Sequence, residues 1–225
     1  HIDIPKRRID EVVDVLARAG CNMVRFHSLD NRAGYEFGFV RRNIIDDAPP
    51  HERDTQHFDA EYRDRLDYWV ARLKERGIYS FIVLRAFRHF REGDGLENAA
   101  ALPRAARPMA FFNQRLIELQ IQFARDLLFS HKNPYTGMPL GQDPAVALIE
   151  LFNEDSLFSR PALWHSMPQP YQSEFQALWM DYLRRSYGTT AKLAEAWTDA
   201  DGKSGLQAGE TLEAGNVALP DMNLN

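Results

Sequence analysis

After Pro5 the apolar residues Ile9, Val12, Val13, Leu16 and Ala17 recur at helical spacing, with Pro5 suited to a helix start and Gly20 to its stop. The spacing predicts a helix over about Lys6 to Ala19. The next stretch, CNMVRFHS, is short and apolar and directly follows that glycine, as a parallel strand follows a helix. The same order repeats twice. Tyr62, Leu66, Trp69, Val70 and Leu73 form one helical stripe that ends at Gly77 and runs into IYSFIVLRAF, and a helix over about Pro108 to Ser130 precedes a strand from Val146 to Phe152. Further helices are expected over about Tyr171 to Tyr187 and Thr189 to Trp197.

Three successive helix-then-strand units argue for a parallel α/β sheet with crossover helices, either a barrel or an open doubly wound sheet. No glycine-rich phosphate loop joins a strand to its helix, and the long polar insertions, Leu29 to His57 and Arg85 to Arg107, follow strand ends, where barrels build their sites. The expected fold is therefore a partial (β/α)8 TIM barrel with three of the eight strands a closed barrel needs. Its domain would span 1–198, with the glycine-rich, aperiodic 199–225 as a loop or linker leading to a missing remainder.

Composition narrows the partners. The chain has 225 residues, 44% of them hydrophobic, enough for a substantial core, and its net charge of -5 comes from mixed acidic and basic residues. No single-sign block suits a phosphate backbone or an anionic membrane, so neither nucleic acid nor membrane is expected. The one cysteine, Cys21, excludes an internal disulfide and a cysteine-rich zinc site, and the seven histidines show no His-x-x-x-His or Cys/His spacing, so no metal is expected. The first residue is His1 and no signal-peptide pattern follows, which reads as a processed, excised or incomplete chain of unknown address.

The chemistry concentrates at VALIELFNEDS, Val146 to Ser156. Alternation puts Val146, Leu148, Glu150, Phe152 and Glu154 on one face of that strand, and Glu154 at its C-terminal tip. A carboxylate at the partly dry mouth of a parallel sheet can reach the pKa of a general acid, and Asn153 can hold a substrate hydroxyl. The plainer alternative is that Asn-Glu-Asp starts a loop and caps the next turn. Glu150, a charge inside an apolar strand, needs a partner, and Arg25, which alternates with Met23 and His27, is the natural one.

At LFNEDS, with GCNMVRFHSL, LKERGIYSFIVL and SYGTTAKLAEAW, the sequence resembles the retaining glycoside hydrolases of clan GH-A, the (β/α)8 superfamily of cellulases, mannanases and β-galactosidases. The resemblance runs over about residues 6 to 198 and implies that the three strands are the second to fourth of the barrel. It also implies a retaining β-glycosidase fragment that hydrolyses O-glycosidic bonds of an oligo- or polysaccharide by double displacement. It implies Glu154 as acid/base, Asn153 as partner of the sugar 2-hydroxyl, Arg25 beneath the sugar subsite, no cofactor, and a nucleophile outside this chain. That second carboxylate lies about 5–5.5 Å from the acid/base in retaining enzymes. Glu210 and Glu213 follow no strand and are poor substitutes.

The third strand departs from the clan, reading IVLRAFRHF, with Arg85 where a histidine is expected and His89 four residues on. Arg85 and Arg88 would then either bind an anionic substrate or form a solvated loop. His27, in the row of Arg25, is expected to line the site, with a satisfied core histidine as the alternative. Trp164, in a proline-rich loop, is the better sugar platform, and Trp197, on a helical stripe, is expected in a core. A non-catalytic carbohydrate-binding or degenerate barrel protein is the alternative function. Open strand edges would demand the remainder of the barrel or self-association.

Overall fold

The computed structural model describes residues 3–31, 34–36, 39–41, 44–155 and 166–219. The chain divides into two compact units, His1–Asp155 and Ser156–Asn225.

The first unit holds the expected helix-strand repeats. Helix α1 (Lys6–Arg18) buries Ile9 and Val13 and stops where Gly20 takes φ +76°, a conformation that costs other residues steric strain. Strand β1 (Met23–Phe26) follows. A short antiparallel pair, β2 (Gly34–Glu36) and β3 (Phe39–Arg41), interrupts the insertion after β1. Helix α2 (Ala60–Glu75) starts at Asp59, whose carboxylate accepts from the Glu61 and Tyr62 amides, and leads to β4 (Tyr79–Val83). Helix α3 (Gln114–Leu128) begins at Asn113, capping Leu116, six residues later than its apolar pattern suggests; Met109–Phe111 forms a separate 3-10 turn. Strand β5 (Val146–Glu150) closes the series two residues before the predicted end.

The three long-range strands form one parallel sheet in the order β1-β4-β5, which is the order of the helix-strand repeats along the chain. The fold is α/β, and this stepwise order is that of consecutive strands of a (β/α)8 barrel; a doubly wound sheet reverses direction at a switch point. Phe26, Ile78, Ile82 and Leu84 from the sheet pack against Ile9, Val13, Leu66, Trp69, Val70, Leu73, Phe123 and Leu127 from the three helices. These side chains are largely withdrawn from water, which is the principal term stabilising the unit.

One irregularity moves a side chain. The ladder pairs Ser80 with Val146 but Phe81 with Leu148, so Ala147 is an extra residue in β5. Val146 therefore packs with the helix-side core, while Leu148 and Glu150 share the opposite face with Arg25 and Phe81. The expectation that Val146 shares the face of Glu150 is corrected by this bulge.

Among the described residues β1 and β5 each pair only with β4, and β5 leaves Leu148 50%, Ile149 40% and Leu151 62% exposed. A groove of about 220 Å³ beside that edge is lined by Leu84, Phe123, Ala124, Ile121, Leu151 and Phe152.

In the second unit, α4 (Tyr171–Tyr187) and α5 (Thr190–Ala196) meet at Gly188, with Thr189 capping Lys192. Met180, Leu183 and Leu193 form a small core with Leu212 and Val217, and Trp197 packs against it. Arg184 donates to the Leu212 carbonyl, and Gln176 to that of Val217. Along the chain the compact units divide between Asp155 and Ser156, and the segment expected as a linker carries Leu212 and Val217 of a core. Two apolar side chains among glycines leave no periodic signal. Among the described residues, no helix is long and apolar enough to cross a membrane.

Candidate functional site

The ends of β1, β4 and β5 carry the residues of interest. Arg25 and Glu150 stand on strands that flank β4 on opposite sides. Arg25 reaches across β4 with its guanidinium 5.3 Å from the centre of the Phe81 ring and donates to Glu150 Oε2 through Nη2 at 2.6 Å and Nε at 3.1 Å. The same Nη2 donates to Asn153 Oδ1 at 2.7 Å. One arginine therefore binds Glu150, the last residue of β5, and Asn153, three residues beyond it and 4% exposed.

Asp155 is fixed from the other side. Its carboxylate, 2% exposed, accepts from Arg85 and lies 3.4 Å from Arg107 Nε. Arg107 also donates to the carbonyls of Asn153 at 3.0 Å and Ala86 at 3.1 Å, and Arg85 O accepts from the Asn153 amide at 2.9 Å. Between these two clamped residues Glu154 is exposed, has φ 45°, and its carboxylate makes no hydrogen bond or ion pair among the described residues. A non-glycine residue in the left-handed region persists only where its surroundings impose it, and such strain collects at functional positions. The expectation that Glu154 is partly dry is corrected: nothing in the described residues covers it.

The tip of β1 repeats the pattern. His27 is half-buried against the edge of Phe87, ring centres 5.3 Å apart, and its Nδ1 lies 2.5 Å from the hydroxyl of Ser28, itself at φ 63°. Two residues on, buried Asp30 accepts from the successive amides of Ala86, Phe87 and Arg88 at 2.9, 3.1 and 3.1 Å. Burial raises the Asp30 carboxyl above its usual value, against the lowering effect of those amides and of Arg88. This carboxylate ties the tip of β1 to that of β4.

Both arginines offered as anion binders lie inside. Arg85 is 3% exposed and Arg88 2%. Arg88 donates to Leu119 O at 2.9 Å and to Thr55 O at 2.9 Å and Oγ1 at 2.8 Å, and burial lowers its guanidinium to about 10. Burial also lowers that of Arg85, with Asp155 opposing. Both are nearly buried, although both line the groove beside β5, and their guanidiniums are held by Asp155, Thr55 and main-chain carbonyls, so the solvated-loop reading fails. His89 is exposed in the segment after β4. Trp164 lies outside the described residues.

Glu150, a charge inside an apolar strand, is expected to pair with Arg25 and does so; that Arg25 also holds Asn153 is added by the fold. The sequence reading misses Asp30, Arg107 and the clamp on Asp155. An acidic residue directly after a strand, in HSLD, was a usable signal for Asp30; Arg107 had none, since its partners are 46 and 48 positions away.

No family model matches the chain, and no curated protein matches it. Among solved structures, an endo-beta-1,4-mannanase from Thermotoga petrophila aligns at 20% identity with a TM-score of 0.46, covering 82% of this chain and 38% of that one. The chain thus spans less than two fifths of that protein.

Proposed function

We propose that this chain contributes the acid/base half of a retaining glycoside hydrolase site, with Glu154 as the proton donor. The observation that supports the reading is the contrast within Asn153-Glu154-Asp155: both neighbours are locked by arginines while the carboxylate between them is exposed and unengaged at a strand tip. The clamps fix the backbone on either side of Glu154 and leave its carboxylate free to meet a substrate oxygen.

In the proposed reaction Glu154 protonates the glycosidic oxygen as the C–O bond breaks, and a second carboxylate bonds to the anomeric carbon. Glu154 then takes a proton from the water that releases the sugar. Asn153 uses its Oδ1 on Arg25, so its Nδ2 is the part that donates to a sugar hydroxyl. Arg25 positions Asn153, and His27 borders the same end of the sheet. The nucleophile lies outside these 225 residues. No cofactor takes part.

One observation favours the non-catalytic reading. Asp30, Glu150 and Asp155, the other acidic groups at these strand ends, are all engaged by amides or arginines. The two readings separate on Glu154→Gln in the protein that carries this chain. Hydrolysis of an oligosaccharide or an aryl β-glycoside with a poor leaving group should fall about 100-fold or more, with ligand affinity retained. Unchanged turnover sinks the assignment, and saturable oligosaccharide binding with no hydrolysis in either form supports the binding protein.

A further inference from the structure

The insertion between β3 and α2 gathers two imidazoles and a carboxylate that the carbohydrate reading does not use. His51 and His57 stack with ring centres 3.8 Å apart and planes at 23°, and His57 Nδ1 lies 2.9 Å from Asp54 Oδ1. One ligand atom from each of His51, Asp54 and His57 can be chosen so that all lie within 4.8 Å of one another. We infer that these three side chains form a binding site for a first-row divalent transition metal ion of the zinc type, with a fourth position open to water or an external ligand.

The chemistry of the donors selects the cation. Two imidazoles with one carboxylate suit zinc and its neighbours, whereas magnesium and calcium take oxygen shells. Metal-ligand bonds of about 2.0–2.2 Å put tetrahedral ligands about 3.3–3.6 Å apart, so the present spread of up to 4.8 Å closes with rotation of the stacked rings that turns their nitrogens towards one point. The ring of His57 is half exposed, which leaves a side from which an ion enters.

The backbone beneath is already fixed. The amide of Asp54 returns to the His51 carbonyl at 3.3 Å, and that of Asp46 donates to the His57 carbonyl at 2.9 Å. Arg91 donates to the carbonyls of Glu52 and Asp54 at 3.0 and 2.8 Å, the Gly93 amide to that of Arg53 at 2.8 Å, and Asp94 accepts from the Thr55 amide at 2.9 Å. Ordering the loop is therefore already accomplished before the ion arrives, and little entropy opposes binding. The spacing, His-x5-His with Asp between, is neither a helical i,i+4 pair nor a finger pattern, which is why the sequence alone gave no metal signal.

The test is calorimetric titration of metal-stripped protein with zinc chloride, comparing the parent chain with His51→Ala/His57→Ala and with Asp54→Asn. One equivalent should bind the parent, and the double variant should bind roughly 100-fold or more weakly. Bound zinc should also raise the melting temperature of the parent alone. Imidazole nitrogen resonances keep the test independent of variant folding: those of His51 and His57 should shift on zinc addition in the unmodified chain. Absence of stoichiometric binding, equal affinity in the double variant, or shifts confined to other histidines overturns the site.

Discussion

Arg25 donates to Asn153 Oδ1 at 2.7 Å and to Glu150 Oε2 at 2.6 Å from a strand that does not pair with β5, so one side chain bridges the outer strands of the sheet over Phe81. Arg25→Met keeps the stem and removes every donor. It should cost about 1–2 kcal/mol, modest because Arg25 is 42% exposed, and Arg25→Lys should recover only part, since an ammonium cannot serve two acceptors through a planar fork. Chemical denaturation of both variants, with Glu150→Gln completing a double-mutant cycle, measures it; additive effects would show that the pair is not coupled.

Asp30 holds three consecutive amides, and its loss leaves them buried without their acceptor. Asp30→Ala should destabilise by about 3 kcal/mol or more. The sign of its pH effect is the reverse of the usual carboxylate: because burial raises the folded-state value, ionisation of Asp30 opposes folding as pH rises through and above the normal carboxylate range. Urea midpoints of the parent and Asp30→Asn across acidic pH give the comparison.

Asp143 acts in the opposite direction. It accepts from Lys74 Nζ at 2.9 Å and from the Ala145 amide at 2.9 Å, fixing the start of β5. Burial raises its carboxyl, but Lys74, Ala145 and Thr136 outweigh burial and hold it below its usual value. Its contribution is thus complete above a pH of about 4 and is lost as pH falls through the lowered folded value. Asp143→Asn should flatten the acid limb of the stability curve and cost about 1.5–3 kcal/mol at neutral pH. An unchanged acid limb would mean the Lys74 pair contributes nothing.

A Cβ on Gly93 would stand 2.5 Å from the carbonyl oxygen of Arg53. The obstacle is backbone, so the two insertions must separate. Gly93→Ala should therefore lower stability by about 1–3 kcal/mol and weaken zinc binding at His51, Asp54 and His57 without touching a ligand. Calorimetry of this variant beside the parent checks the link.

The open edge of β5 has a physical consequence. Exposed Leu148, Ile149 and Leu151 lie on an edge that no other strand pairs with among the described residues, and such an edge invites another strand. The isolated chain should self-associate, and Leu148→Lys/Leu151→Lys should shift it towards monomer in sedimentation velocity. A concentration-independent parent monomer would refute this.

The repeating alternation of helix stripe and apolar strand determined the α/β class, the parallel order and the pairing of Glu150 with Arg25. Each rests on local periodicity or on the need of an interior charge for a partner. Tertiary structure alone decided the rest. The bulge at Ala147 depends on how β4 and β5 meet, the burial of Arg85 and Arg88 on acceptors supplied by distant segments, and the packing of Leu212 and Val217 on a helix pair formed elsewhere. The exposure of Glu154, and the approach of His51 to His57, depend equally on which groups the chain brings near them, and no spacing along the sequence records that.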